Sequence, residues 1–233
     1  MSFRVLLLRL KVHKVTGFLN NLFLKIANFN KFSSWVGENA DLGYNDFYNK
    51  RGDYTDRYNL FLYLVKNEIK EKEINYLEFG VGDGETLKWW LNMLPGKKSS
   101  FYGFDSFEGL PEDWGVYKRE AFTHKGKSPE IDDPRAKIIK GLFQTTLNGF
   151  LSDFDNSKCN LIVLDADLYS STLFVLTSIA PYLKKDDIII FDEFFSPQHE
   201  FLAYNNFCQS FTHIKLKAIG AAYNYTFVAF KVV

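Results

Sequence analysis

Glu78, Gly80, Gly82 and Gly84 stand at alternate positions where an apolar run, Ile74 to Phe79, passes into a helical pattern that starts at Glu85. Glycine lacks a Cβ and takes positive φ without steric cost, so such a turn lets a ligand lie directly on the backbone. The helix that follows offers unpaired N–H groups and a positive dipole end to a phosphate or carboxylate. That is the chemistry of nucleotide binding. The dinucleotide fingerprint requires Gly-x-Gly-x-x-Gly, and Glu85 occupies the place of its third glycine, which argues against a nicotinamide-dependent oxidoreductase. A non-catalytic module that keeps a nucleotide pocket is the non-enzymatic alternative, and the acids described next argue against it.

Four further carboxylates follow apolar runs: Asp105 after Phe101–Phe104, Asp165 after Leu161–Leu164, and Asp192 with Glu193 after Ile188–Phe191. A carboxylate at the end of such a run is poorly solvated and needs a hydroxyl, an amine or a cation beside it; Glu78 is in the same position. Asp105 has the place and chemistry to accept two hydrogen bonds from a ribose diol, with a cap on the turn after it as the plainer role. Asp165, Asp192 and Glu193 are one strand-helix-strand unit apart. Together they offer three hard oxygen ligands of the kind Mg²⁺ takes while keeping water and a substrate oxygen. A metal there orients a substrate hydroxyl and lowers its pKa. The competing role for Asp165 is contact with a cofactor amine. Asp165 can also act as the general base, and His199, in Ser196-Pro197-Gln198-His199-Glu200, is a second proton acceptor.

The elements needed to position these groups alternate regularly. Strands are expected at 75–79, 100–104, 136–139, 160–164 and 187–191, and helices at 85–93, 145–154, 170–183 and about 199–211, after a first helix from Tyr58 to Ile69. That alternation predicts an α/β fold, Rossmann-like and doubly wound, with a mostly parallel seven-stranded sheet. The last two strands, 213–218 and 224–232, are too close in sequence for a crossover helix and predict an antiparallel C-terminal hairpin at the sheet edge. Residues 106–135 form too long an irregular segment for a mere connection and read as a functional loop or lid.

Residues 1–37 carry Arg4, Arg9, Lys11, Lys14, Lys25 and Lys31 and no acidic residue. Val5, Leu8, Val12, Val15, Leu19, Leu22, Ile26 and Phe29 repeat at three and four, the spacing of one helix stripe, which Gly17 interrupts. The expected division is a basic amphipathic helical extension or lid at 1–52 and a catalytic domain at 53–233. The arm is too short of continuous apolar residues for a membrane span or signal core. Packing on its own domain or on a homodimer mate is the favoured use, a lid comes next, and contact with anionic lipid ranks last.

With 28 basic and 28 acidic residues, the chain carries no global field that suits nucleic acid, so a small-molecule partner is expected. Cys159 and Cys208 have no metal-type or redox spacing and read as small buried hydrophobes, compatible with a reducing, cytoplasmic setting.

Beyond the glycine turn, Phe104-Asp105-Ser106-Phe107-Glu108-Gly109-Leu110-Pro111-Glu112-Asp113-Trp114, Leu164-Asp165-Ala166-Asp167-Leu168-Tyr169-Ser170-Ser171-Thr172 and Gly141-Leu142-Phe143-Gln144-Thr145-Thr146-Leu147 are the more specific segments. They resemble the macrocin/mycinamicin type of O-methyltransferase, within class I of the S-adenosylmethionine-dependent methyltransferases. The resemblance runs from about Asp53 to Val233. It implies methyl transfer to a hydroxyl of a small molecule or sugar, in secondary-metabolite or glycan pathways. It further implies that the glycine turn holds the methionine part of the cofactor, that Asp105 holds the ribose and that Ser106 and Phe107 flank the adenine. Mg²⁺ would fall on Asp165, Asp192 and Glu193, although the family's usual pair is Asp-Asp and Glu193 departs from it. Leu168 stands where catechol-type relatives carry a lysine base. A metal-independent methyltransferase of the same fold, acting on O, N or C, is the alternative.

Overall fold

The computed structural model describes residues 2–233. Its centre is a sheet of strands β1 (Tyr44–Asn45), β2 (Ile74–Phe79), β3 (Ser100–Asp105), β4 (Ala136–Lys140), β5 (Cys159–Leu164), β6 (Ile188–Phe191), β7 (Leu216–Ala222) and β8 (Phe227–Val232), in the order β1-β7-β8-β6-β5-β2-β3-β4. β2 to β6 pair in parallel, and β8 runs antiparallel to both β6 and β7. The doubly wound expectation holds, with two corrections. The sheet has eight strands rather than seven, because Tyr44 and Asn45 pair in parallel with Gly220 and Ala221; two residues are too few to carry an alternating pattern. The hairpin is also not the edge: β8 is inserted between β6 and β7, and β1 covers the outer side of β7, shielding N–H and C=O groups that an open edge leaves unpaired.

Parallel strands are buried on both faces, which is why β5 reads as an unbroken apolar run. Its residues alternate as strand geometry demands: Leu161 and Val163 face one core with Tyr76, Phe101 and Ile190, while Ile162 and Leu164 face the other with Phe79, Phe104 and Phe191. The first core is covered by α4 (Arg57–Leu64) and α5 (Glu85–Met93). The second is covered by α6 (Phe143–Ser152), α7 (Tyr169–Ile179) and α8 (Glu200–Ser210). Each fully buried large side chain contributes roughly 1.5–3 kcal/mol relative to exposure.

The N-terminal segment forms α1 (Phe3–Arg9), α2 (His13–Thr16), a 3₁₀ turn at Gly17–Leu19 and α3 (Asn20–Glu38). Only the end of α3 docks. Asn28 and Phe32 are buried, and the Trp35 ring packs among Phe194, Phe201, Tyr204, Tyr225 and Phe230 with its Nε1–H donating to the Tyr204 hydroxyl at 3.3 Å. Residues before Asn28 touch little else. Among the described residues no helix is long and apolar enough to cross a membrane. Cys159 and Cys208 are free and half-buried rather than fully so.

Candidate active site

Main-chain hydrogen bonds fix the strand tips before any side chain acts. The N–H of Gly80 donates to Phe104, that of Asp165 to Phe79 and that of Asp192 to Leu164, each at 2.9 Å, so the acids leave the sheet on adjoining strands. These tips lie where the chain reverses its order of strand addition, between β2 and β5, the place where open α/β sheets bind ligands. At Gly80, φ is 101° and a Cβ would run into the carbonyl of Asp165. Glycine is required there by both conformation and space. Gly84, at φ 79°, is the N-cap of α5 and aims the first amides of that helix at the cavity.

Asp105 organises the turn. Its Oδ2 accepts the N–H groups of Val81 and Gly82, both at 2.9 Å, and its Oδ1 accepts the N–H of Phe107 at 2.7 Å. Asp105 thus has the turn-capping role and remains on the cavity wall with one acceptor site, on Oδ1, still open.

Glu78, Asp165, Asp167, Asp192, Glu193 and Glu200 form a dense group of acids beside this turn. Burial lifts Glu78 to about 8 against the pull of its 2.8 Å hydrogen bond from the Tyr76 hydroxyl. Burial and the neighbouring Asp192 push Asp167 to about 7 and Glu193 to about 7. Asp165 is raised well above the usual range by burial and then by Asp192, and Glu200 by burial against a hydrogen bond from the Glu193 N–H. Asp192 rises less, to about 6, because two groups offset its burial. The Tyr54 hydroxyl donates to its Oδ2, and the Arg57 guanidinium lies 3.8 Å from its Oδ1. Arg57 is itself buried and its Nε finds no partner. Two neighbouring acids that repel each other this way hold a shared proton or a cation.

The donor set suits Mg²⁺, which needs few carboxylates and keeps its waters. Asp165 stands on the cavity wall, and Asp192 is buried behind it with its oxygens facing Tyr54 and Arg57. Among the described residues no three His, Cys, Asp or Glu side chains converge on a metal position; of the expected trio, Asp165 and Glu193 line the cavity and Asp192 does not.

Gly80, Gly82, Asp105, Asp165, Asp167 and Glu193 share one cavity of about 510 Å³, with Gly84 outside its lining, a volume that fits a nucleoside-sized ligand with an acceptor beside it. Ser106 lies on its wall as expected. Phe107 does not: φ is 59° and the ring is fully buried in the core below, so Leu142 and Phe143 are the apolar groups on that wall instead. His199 is absent from the lining. Its Nδ1 accepts the Tyr169 N–H at 3.4 Å, its ring lies 6.3 Å from Trp114, and burial lowers its pKa.

Sequence reading missed Tyr54, Arg57 and His124. The first two lie in the stretch before β2, and His124 comes from the 106–135 loop, close over Gly82. That loop does cover the cavity. Leu110, Pro111, Trp114, Tyr117 and Phe122 form its inner surface, with Trp114 and Tyr117 stacked at 5.4 Å, and Ser170 Oγ ties it to α7 by donating to Glu112 Oε1 at 2.5 Å.

The family described as a methyltransferase domain matches residues 77–194, just over half of the chain and the whole span from the glycine turn through Glu193. No curated protein matches the chain. Among solved structures, calicheamicin methyltransferase CalS11 superposes with a TM-score of 0.59 at 20% identity, over 74% of this chain and 77% of that chain. The O-methyltransferase NovP gives 0.56 at 19%, over 76% and 79%. A structure of cmcI-D160 with Mg-SAM gives 0.51 at 15%, over 83% and 80%. Identities this low describe a shared fold. With the family match spanning the positive-φ glycines, Asp105 and the strand-end acids, the chain belongs to the methyltransferase-domain family and is a class I S-adenosylmethionine-dependent methyltransferase.

Proposed function

We propose that this enzyme methylates a hydroxyl of a small molecule or sugar, with Asp165 and Asp192 holding a divalent cation at the acceptor side of the cavity. The observation that carries the reading is Asp165 on the wall of the glycine-turn cavity, with Asp192 at the tip of the adjoining strand behind it. The bound cofactor supplies an activated methyl group, and the cation supplies charge that favours the deprotonated hydroxyl.

The chain's own residues do the rest. Gly80, Gly82, Gly84 and the first amides of α5 hold the amino-acid end of the cofactor. Asp105 keeps the turn in shape and takes the ribose, and Leu142 and Phe143 flank the base with Ser106. Asp165, raised by burial, is the general base, because it reaches the cavity and His199 does not. The aromatic loop excludes water and aligns the acceptor. Alignment can lower a barrier by up to ~10 kcal/mol, more than the ~3–5 kcal/mol a positioned base contributes.

A metal-independent variant of the same reaction draws support from Arg57, which already brings positive charge to Asp192. Purified enzyme given S-adenosylmethionine and a panel of nucleotide sugars, glycosides and phenols, with Mg²⁺ or with EDTA, tests both readings. The sugar arm is suggested by a solved protein of this fold, the TDP-rhamnose 3'-O-methyltransferase CalS11. Hydroxyl methylation that EDTA stops supports the metal reading, and EDTA-resistant turnover selects the Arg57 reading. Methyl transfer to nitrogen or carbon alone rejects both.

A further inference from the structure

Thirteen large apolar side chains between Phe3 and Phe29 are exposed, and nowhere else among the described residues does the chain carry more than two such side chains in succession. Leu8 is 79% exposed, Phe18 81% and Leu22 53%. The stripe expected to pack on the domain therefore has no intramolecular partner until α3 docks through Asn28, Phe32 and Trp35. Apolar surface of this extent marks a docking site.

We propose that residues 3–31 lie on an anionic lipid bilayer, as a peripheral anchor. Charge selects this partner. The whole chain balances 28 basic against 28 acidic residues, and the arm holds six of the basic and none of the acidic, which leaves the remainder six charges negative. A second arm packed along the stripe would bring basic residues against basic residues, whereas phosphate headgroups neutralise them.

The distribution of apolar residues points the same way. Leu6, Leu7 and Leu24 are exposed outside the Leu8–Val15–Leu22–Ile26–Phe29 stripe, so the apolar surface is wider than the narrow seam of a coiled coil. Lys and Arg stems extend along apolar surface while their heads stay at the headgroups. Among the described residues no helix is long enough and apolar enough to cross the bilayer, so the arm lies in the interface, parallel to it. This inference is independent of which acceptor the enzyme methylates.

Flotation of the full chain with phosphatidylcholine vesicles, with and without phosphatidylglycerol, tests it. The protein is expected to float with the anionic vesicles only and to be released by high salt. The double substitution Lys11→Glu with Lys14→Glu, and separately Leu22→Ser with Ile26→Ser, is expected to lower the partition coefficient at least ~tenfold. Both pairs are at exposed positions, so S-adenosylhomocysteine affinity, measured in parallel, stays unchanged and reports correct folding. Failure to float with any vesicle overturns the proposal, as does equal binding to neutral and anionic vesicles. Light scattering that shows dimers lost on Leu22→Ser with Ile26→Ser, without vesicle binding, assigns the surface to a second copy instead.

Discussion

The Tyr54 hydroxyl donates to Oδ2 of Asp192, joining residues 138 positions apart behind the acidic wall of the cavity. This bond and the Arg57 guanidinium are why Asp192 remains the more acidic of the buried group, at about 6. Tyr54→Phe removes the donor and leaves the carboxylate less compensated, so the Asp192 pKa rises. The acid limb of the kcat/KM–pH profile is expected to move to higher pH, with a loss of roughly 1.5–3 kcal/mol of stability from a hydrogen bond to a charged group. An acid limb at the wild-type position would mean that Asp192 does not titrate in turnover.

Asp105→Asn puts an amide NH₂ where an oxygen accepts N–H groups from Val81 and Gly82 or from Phe107. One arm of the turn loses its partner whichever way the amide is oriented. Calorimetric titration with S-adenosylhomocysteine is expected to show ~30-fold or greater weakening, from about 2 kcal/mol or more of unpaired main-chain donors. Affinity within threefold of the parent protein would remove Asp105 from the cofactor site.

Asp165→Asn keeps the shape of the side chain and removes both its charge and its basicity. Turnover is expected to fall 10²–10⁴-fold, the range for a lost proton acceptor, with S-adenosylhomocysteine affinity changed far less. If turnover persists at a tenth of the parent rate, the base lies elsewhere.

Glu78 gives a stability test in the cofactor-free protein. Its folded pKa of about 8 lies above the ordinary 4.5, so between these values the folded state binds more protons than the unfolded chain. Stability from this group is present at low pH and lost as pH rises through that window, at about 1.4 kcal/mol per pH unit. Glu78→Gln retains an acceptor for Tyr76 and removes the titration. Urea unfolding from pH 5 to 8 is expected to give a flatter stability curve for the variant, and parallel curves would contradict the assignment.

Glu78, Asp105, Asp165, Asp192 and Glu193 were legible in the sequence because each ends an apolar run, and a parallel sheet brings such ends to one side. Tyr54 and Arg57 were not legible, since they precede the apolar stripe that marks the first helix and nothing local ties them to the strand tips. Their role arises only when the chain before β2 crosses the tips of β5 and β6. The resemblance implies that Phe107 flanks the adenine, whereas a positive φ turns its ring into the core, a feature that a motif match does not carry. The stripe of the N-terminal arm was read correctly as a pattern. Periodicity records that a helix has an apolar side and carries no information on what covers it.

The rungs linking Gly80 to Phe104, Asp165 to Phe79 and Asp192 to Leu164 are made wholly by peptide groups. Because these rungs do not depend on side chains, a cavity-lining residue that holds no part of the turn, such as Glu193, can be exchanged like a tool in a fixed handle. Exchanging Glu193 for aspartate is a route to retool this enzyme for other acceptors without rebuilding the architecture beneath, whereas Leu168, packed in the core, belongs to that architecture.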